Sequence, residues 1–438
     1  MDERSVATDS VGILALRVLL YAATFLTGII VSRALGPTGR GEYYLPFLGA
    51  TALVTVGNLG VDKGALMLFG DRGYGLGALW RVSRRVGRVS GVIGALLLVA
   101  SPWLLPSVYA GAPILLLLIA AATVPLQIET VLGSALLTMS GRVFVQFRGA
   151  IMSVLVQTTL LLGLWASAGL TPAIVLVTGL AGAAVYWWII VAGCREFERD
   201  ALPAGWIREI MQTSLPLHAS TMLLWMHLRI DMFMVSAMAG ATMLGIYSLA
   251  VTLSETVQMA TDSVGIALSP RQAASTVRDA AQLALTGARV NLVVGGLTAV
   301  AWLAAGPFAV PLLFGKAFSG TVLPLVVLLP GMVALGWQRA CGAAIIRAGR
   351  PWVLTSIQGA SLALNASLNW LLIPRFGVAG AAAASTVSYS LTSIAIVVWS
   401  VRLAGAGPSE VMPRGADLVI VGRGLMKVAG LVRQPVTR

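Results

Sequence analysis

Charged residues are scarce in this sequence of 438 residues: Asp, Glu, Lys and Arg together make up only 11%, against about 25% in soluble domains. Hydrophobic residues make up 58%, and the mean hydropathy is +0.88. A water-soluble protein of this size has to present polar groups on its surface, and too few are available here. The composition therefore excludes a soluble enzyme. It predicts an all-α, polytopic membrane protein, because helices satisfy their own backbone hydrogen bonds in lipid.

Cysteine and histidine are also rare, with two residues of each. Cys194 and Cys341 lie far apart and lack the spacing of metal ligands, so the sequence predicts neither a metal site nor a disulfide framework. The chain has no G-x-x-x-x-G-K-[ST] loop, which argues against nucleotide hydrolysis by that route. No nucleophile and base stand together, so we expect neither an enzyme active site nor a cofactor.

Acidic residues are outnumbered by basic ones: 17 Asp and Glu stand against 30 Lys and Arg, for a net charge of +13. The basic residues are scattered between long apolar runs and form no patch, which argues against nucleic-acid binding. Most of them fall in alternate loops, which the positive-inside rule assigns to the cytoplasm. This distribution predicts an even number of spans, with both termini cytoplasmic.

The apolar stretches long enough to cross a bilayer, which takes about 20 residues, predict twelve transmembrane helices. The predicted spans are 10–34, 43–68, 86–105, 113–138, 144–167, 172–193, 213–237, 243–268, 286–306, 321–346, 352–373 and 378–402. The most polar stretch in mid-chain divides them into two groups of six. The predicted domains are an N-terminal six-helix lobe (1–193), a cytoplasmic linker (194–212), a C-terminal six-helix lobe (213–402) and a basic cytoplasmic tail (403–438).

The tail matches no motif that we can name. Its segment 418–432 combines apolar residues with Arg423 and Lys427, a composition that suits the surface of an anionic membrane. The alternative is that this segment is disordered, and the sequence leaves both interpretations open.

An internal repeat relates the two halves. Residues 31–45 match residues 235–249 at an offset of 204, and each copy lies between the first and second spans of its half. The identical pairs are Val31/Val235, Ser32/Ser236, Gly36/Gly240, Thr38/Thr242, Gly41/Gly245, Tyr43/Tyr247 and Leu45/Leu249. Chance matching of small residues is the alternative. Six spans per half make the repeats parallel, related by an axis along the membrane normal, and two such pseudo-symmetric lobes predict a transporter.

The repeated segment resembles a known family. Residues 33–37, followed by residues 41–43, look like the outer first turn of bacterial polysaccharide exporters. These Wzx-like proteins are lipid-linked oligosaccharide flippases of the multidrug/oligosaccharidyl-lipid/polysaccharide (MOP) superfamily. The second copy is similar to their junction between spans seven and eight. The resemblance covers about residues 10–402 and is also carried by residues 311–315, 349–351 and 372–382.

The resemblance implies a function. Such proteins move an oligosaccharide linked to undecaprenyl pyrophosphate from the cytoplasmic to the outer leaflet of the bacterial inner membrane, by alternating access of two lobes. This implies a lipid-linked oligosaccharide as substrate and membrane lipids as surroundings. Glycosyltransferases and a polysaccharide polymerase are the implied partners in surface polysaccharide biosynthesis. The peptidoglycan-precursor flippases of the superfamily have two extra spans, so this chain looks less like them.

Two other functions remain as alternatives. A multidrug or organic-cation antiporter of the same superfamily would need an acidic, aromatic-lined cavity. The predicted first span contains no carboxylate, and Arg17 within it argues against a cation. A membrane-embedded glycosyltransferase or ligase would need large outer loops, and the loops here are short. A positive potential in the cavity would favour the flippase, and a negative one the antiporter.

Arg17, in the first span, is the main candidate for binding the substrate. A charge inside a span is costly and usually faces a cavity or a partner, and the guanidinium fork suits a pyrophosphate. Tyr21 extends the same helix face. The alternative is that the Arg17 side chain snorkels, placing its guanidinium at the cytoplasmic membrane–water interface.

Three polar residues stand close together in the seventh span. Arg229 is either a second substrate ligand or part of a structural network. His227 and Asp231 are predicted to pair at i,i+4, and we expect that pair to brace the lobe.

Buried carboxylates can bind coupling protons or Na⁺, and Glu129 in span four and Glu255 in span eight are the candidates for this role. The alternative is a structural pair with Arg17, Arg229 or Lys63. A further polar stripe follows one face of span eleven, and we expect it to hold helices together; it consists of Gln358, Ser361, Asn365 and Asn369.

Overall fold

The computed structural model describes the backbone of residues 3–71, 74–109, 111–197 and 205–428. It describes most side chains between residues 20 and 422, but not those of Arg17 and Tyr21. The described residues are overwhelmingly helical and contain no strand. This confirms the prediction of an all-α protein.

Seven helices precede the middle of the chain, separated by short turns. They are α1 (Glu3–Gly57), α2 (Val61–Asp71), α3 (Leu76–Leu104), α4 (Pro106–Tyr109), α5 (Ile114–Met139), α6 (Val143–Ala168) and α7 (Pro172–Gly193). A short 3₁₀ turn, Arg195–Phe197, follows α7. Thr171 caps the start of α7 by accepting a hydrogen bond from the backbone N–H of Ile174, the position where helices favour such a side chain.

Eight helices make up the rest of the described chain. They are α8 (Trp206–His227), α9 (Ile230–Ser254), α10 (Thr256–Ala274), α11 (Val277–Phe314), α12 (Val322–Gln338), α13 (Cys341–Arg347), α14 (Pro351–Ala404) and α15 (Gly415–Val428). Further 3₁₀ turns lie at Lys316–Thr321 and Pro408–Val411. Helix α15 shows that the first part of the predicted tail is ordered.

Nine helical segments of the described chain are long and apolar enough to cross a membrane. Three of them contain two predicted spans each, because the helix bends sharply at a single glycine. Helix α1 bends at Gly36 (φ 64°), α9 at Gly240 (φ 82°) and α14 at Gly377 (φ 56°). Glycine adopts positive φ without the steric cost of a Cβ. Counting two spans in each of these three segments accounts for the twelve predicted spans; around Gly240, each of the two spans is completed by the neighbouring helix, α8 or α10.

Some predicted boundaries differ from the observed helices. Helix α3 begins at Leu76 and α11 at Val277, whereas the predicted spans begin at 86 and 286. Hydropathy marks only the part of a helix that lies in lipid. The Arg-rich stretch before residue 89 extends α3 at its N-terminal end, since Arg is a good helix former.

The chain divides into two compact units. Unit 1 comprises Met1–Trp225, Ser236–Gly245 and Leu313–Ala317, and unit 2 comprises Met226–Val235, Ile246–Leu312 and Phe318–Arg438. In unit 1, α5 packs along α3 and α7 around buried apolar side chains such as Trp80, Leu117 and Ile128. In unit 2, α12 packs along α14, whose buried side includes many small polar residues.

Candidate functional site

Arg17 and Tyr21 lie on α1, but their side chains are outside the described residues. Their role in binding the substrate therefore stays a prediction. The other candidate residues fall into two groups: Glu129 belongs to unit 1, and His227, Arg229, Asp231 and Glu255 belong to unit 2.

Glu129 lies in α5, inside unit 1, and is only 5% exposed. Its Oε2 accepts a hydrogen bond of 2.8 Å from the indole N–H of Trp187 in α7. Its Oε1 pairs at 3.2 Å with Nε of Arg88 in α3. A buried carboxylate needs such partners to stay charged. The sequence did not indicate Arg88 as the partner, because only the packing of α3 on α5 brings the two residues together.

The Arg88–Glu129 pair is asymmetric in exposure. The Arg88 side chain is 60% exposed, and that of Glu129 only 6%. The pair therefore places a carboxylate inside the unit and a guanidinium at its surface. Neutralising Glu129 would weaken its hold on Arg88.

Arg229 and Glu255 form an ion pair in unit 2. Arg229 Nη1 lies 2.6 Å from Glu255 Oε1, and the two side chains are 23% and 30% exposed. Arg229 lies between α8 and α9, and Glu255 between α9 and α10. Because α9 bends at Gly240, its two ends come together, and the ion pair joins them. Glu255 thus has the structural partner that the sequence left as one alternative.

Asp231, in the first turn of α9, is 1% exposed and accepts hydrogen bonds from three donors. Its Oδ2 accepts from the hydroxyls of Tyr247 (2.6 Å) and Ser385 (2.8 Å). Its Oδ1 accepts from the backbone N–H of Met232 at 2.8 Å. A carboxylate is also favoured at the N-terminus of a helix by the helix dipole. The interactions tie α9 to α14.

The predicted direct pair between His227 and Asp231 is wrong. Helix α8 ends at His227 and α9 begins at Ile230, so the two residues do not share a continuous helix face. His227 Nε2 instead lies 3.1 Å from the Ser388 hydroxyl, and its ring stacks edge-on against Tyr389. No proline or glycine at 228–229 signals this break.

The polar stripe of span eleven joins the same buried network. Asn365 Nδ2 donates to the hydroxyls of Ser388 (2.8 Å) and Ser385 (3.3 Å), and Asn369 donates to Asn365 Oδ1 (2.8 Å). Ser361 bonds to Thr392. Both arms of α14 are thus held together by side-chain hydrogen bonds, the structural role that the sequence favours for this stripe.

The two copies of the internal repeat touch each other within unit 1. The hydroxyls of Thr38 and Thr242, which are equivalent positions, lie 2.9 Å apart. Gly41 lies against the carbonyl of Ala241, and Gly245 against that of Pro37, so closely that a Cβ on either glycine would overlap the oxygen. Each contact is the counterpart of the other under exchange of the copies. We call this contact, residues 37–41 with 241–245, the repeat seam.

Comparison with known proteins gives a family match for the centre of the chain. The family described as "Polysaccharide biosynthesis protein" matches residues 137–274. Among curated proteins, none matches the sequence significantly.

Solved structures of transporters share the fold. A lipid II flippase, MurJ, in an inward closed conformation is similar with a TM-score of 0.71 at 11% identity, covering 95% of this chain and 94% of that one. An inward-facing multidrug resistance MATE family transporter of the MOP superfamily has a TM-score of 0.69 at 15% identity, covering 88% and 94%. The outward-facing MATE structure gives 0.63 at 13%, covering 90% and 93%.

The predicted twelve-span, two-lobed fold and the predicted resemblance to polysaccharide exporters are confirmed. The chain is a multi-pass membrane protein with the fold of MOP-superfamily transporters, and its central third matches the polysaccharide biosynthesis family.

Proposed function

We propose that this protein is a flippase for a polyprenyl-pyrophosphate-linked oligosaccharide. It moves the substrate from the cytoplasmic to the outer leaflet of the cell membrane by alternating access, for surface polysaccharide biosynthesis. The observation that carries this proposal is the match of residues 137–274 to polysaccharide biosynthesis proteins, in a chain whose fold is shared by a lipid II flippase.

Arg17 and Arg229 are the residues that we propose as ligands of the pyrophosphate, and Tyr21 is proposed to assist Arg17 because it follows at i+4. The Arg229–Glu255 pair supports the role of Arg229. Both side chains are partly exposed, so an anionic headgroup can compete with Glu255 for the Arg229 guanidinium. Protonation of Glu255 would weaken the pair and favour binding of the anion. Glu129 is the second candidate for ion coupling, through its contact with Arg88.

A multidrug or organic-cation antiporter is the second candidate. It is favoured by the likeness to MATE transporters and by the buried carboxylate Glu129. In that case the carboxylates would bind the cation, and Arg17 would have no role in recognition.

Transport by the purified full chain in proteoliposomes separates the two functions. The probe is a fluorescent undecaprenyl-pyrophosphate oligosaccharide, whose outer-leaflet fraction is bleached by an impermeant reductant, and ethidium is the competing cation. We expect the bleached fraction to exceed that of protein-free vesicles, with no ethidium movement. Ethidium movement without movement of the lipid would overturn the flippase and establish the antiporter.

Arg17→Ala tests the substrate role. We expect flipping to fall about 10- to 100-fold, because charge-assisted hydrogen bonds are lost, while protein level and Tm stay unchanged. Arg17→Lys keeps the charge but not the fork and should retain only part of the activity. Unchanged flipping in Arg17→Ala would remove this residue from the site.

A further inference from the structure

The C-terminal tail begins with a tight turn at the end of α14. Gly405 follows the helix with φ 63°. Its N–H bonds to the Arg402 carbonyl at 3.2 Å, and the N–H of Ala406 bonds to the Val401 carbonyl at 3.1 Å. This is a Schellman cap, which ends the helix sharply. The turn keeps the following residues close to the end of a membrane-spanning helix.

The segment after this turn packs back onto unit 2. Val411 is 6% exposed and belongs to a buried cluster with Leu285 and Ala288 of α11 and Val397 and Ala404 of α14. The tail is therefore a docked part of the fold at the point where α15 starts.

A buried ion pair fixes the start of α15. Arg289 Nε in α11 lies 3.2 Å from Asp417 Oδ2, and the side chains are only 10% and 3% exposed. Arg289 Nη1 also donates to the Glu410 carbonyl at 2.8 Å. The backbone N–H of Arg414 donates to the same Asp417 oxygen at 2.8 Å. These bonds determine which face of α15 is turned towards α11.

The faces of α15 then differ in character. Leu418 follows Asp417 at 100° around the helix and is 58% exposed, and Val419 is 51% exposed. Met412, just before the helix, is 63% exposed. Position 416 lies about 160° around the helix from Leu418, and it shares its register with positions 423 and 427, where the sequence has Arg and Lys. Leu418 is thus on the side of the helix opposite these register positions.

The charges indicate what covers the apolar side. The tail's two acidic residues are engaged within the protein: Asp417 with Arg289, and Glu410 with Arg414 at 2.7 Å. The remaining charged residues of the tail sequence are basic, namely Arg423, Lys427, Arg433 and Arg438. An amphipathic helix with a basic polar side, next to the end of a span, suits an anionic lipid surface.

We propose that α15 is an in-plane interfacial helix, with Leu418 in the acyl region of an anionic membrane surface and Asp417 tethering it to α11 through Arg289. The inference rests on the membrane-spanning helices and not on the substrate, so it stands or falls separately from the flippase.

Spin labels on the full-length protein in nanodiscs test the proposal. Leu418→Cys and Ala416→Cys are labelled; both positions are exposed, whereas the native Cys194 and Cys341 are buried. In nanodiscs with anionic lipid, we expect the label at 418 to be several-fold more accessible to oxygen, and less accessible to a water-soluble nickel complex, than the label at 416 on the opposite side of the helix. Equal nickel accessibility at the two positions would overturn the proposal.

Two further measurements address the lipid and the tether. Purely zwitterionic nanodiscs should reduce the immersion of the 418 label, and identical immersion in both lipids would overturn the role of anionic lipid. Asp417→Asn keeps the size of the side chain but removes its charge, so the 418 label should become more mobile. An unchanged spectrum in that variant would overturn the tether.

Discussion

Glu129 illustrates how a single buried residue acquires its properties from its neighbours. The carboxylate is held by an indole N–H of α7 and a guanidinium of α3. Neither contact follows from the sequence around residue 129, because the partners lie 41 and 58 positions away. The sequence nevertheless indicated Glu129, since a charge in the middle of an apolar span is expected to have a partner or a function.

Glu129→Gln separates a structural from a functional role. The amide oxygen of Gln can still accept the hydrogen bond from the Trp187 indole N–H, and the substitution removes a buried charge without changing the size of the side chain, so the Tm should change little. If Glu129 couples an ion to transport, flipping in proteoliposomes should lose its response to imposed proton or Na⁺ gradients. Arg88→Gln is the control that removes the same pair and keeps the carboxylate. A full response to both gradients in Glu129→Gln would exclude this residue from coupling.

Asp231, unlike Glu129, is expected to have a purely structural role, because its hydrogen-bond partners Met232, Tyr247 and Ser385 all belong to unit 2. In Asp231→Asn, the new amide N–H₂ would face donors in either orientation: the Tyr247 and Ser385 hydroxyls at the Oδ2 position, or the Met232 N–H at the Oδ1 position. We expect a loss of about 1–3 kcal/mol in the free energy of unfolding, the cost of buried donors without acceptors, visible as a lower Tm in detergent. Tyr247→Phe removes one donor and should cost less. An unchanged Tm in Asp231→Asn would contradict the structural role.

At the scale of helices, the sequence predicted the spans better than the interruptions within them. The apolar runs predicted nearly every crossing, because length and hydropathy decide insertion. The outer turns of the repeat were also predicted, although the structure reduces each to a bend at one residue, Gly36 or Gly240. The break at 228–229 was missed, since nothing in the local sequence disfavours a helix there. This miss led to the wrong His227–Asp231 pair.

The repeat seam gives a prediction for Gly41. In Gly41→Ala, the new Cβ would overlap the Ala241 carbonyl oxygen, and overpacking of this kind costs about 1–3 kcal/mol. Disulfide formation between Thr38→Cys and Thr242→Cys, whose hydroxyls are 2.9 Å apart in the native protein, should therefore slow down in the Gly41→Ala background.

Gly28→Ala is the matched control for this experiment. It lies in the same helix, and a Cβ there meets nothing within 4 Å, so cross-linking should be unaffected and helix propensity slightly improved. Equal cross-linking rates in both glycine variants would mean that the seam is not closely packed in the membrane.

For the whole molecule, the sequence predicted that two similar halves exist but not that the equivalent segments meet. The matching glycines at 36 and 240 adopt the same backbone conformation, as two copies of one motif should. The repeat seam, in contrast, depends on how the fold brings together two segments that lie 204 residues apart in the chain. The distribution of basic residues, in contrast, is a property of the sequence alone, and it makes the orientation in the membrane testable.

Cysteine labelling in intact cells tests the orientation. Arg375 lies in a loop predicted to be outside, and Ser409 in the tail predicted to be inside; both are exposed. An impermeant maleimide should label Arg375→Cys in intact cells and Ser409→Cys only after permeabilisation. The reason is that the side of the membrane whose loops contain most of the Lys and Arg residues is expected to be cytoplasmic. The native cysteines are buried and should stay silent, and burial raises the pKa of Cys194 to about 12, which suppresses the reactive thiolate. The reverse labelling pattern would invert the topology, and with it the direction of the proposed transport.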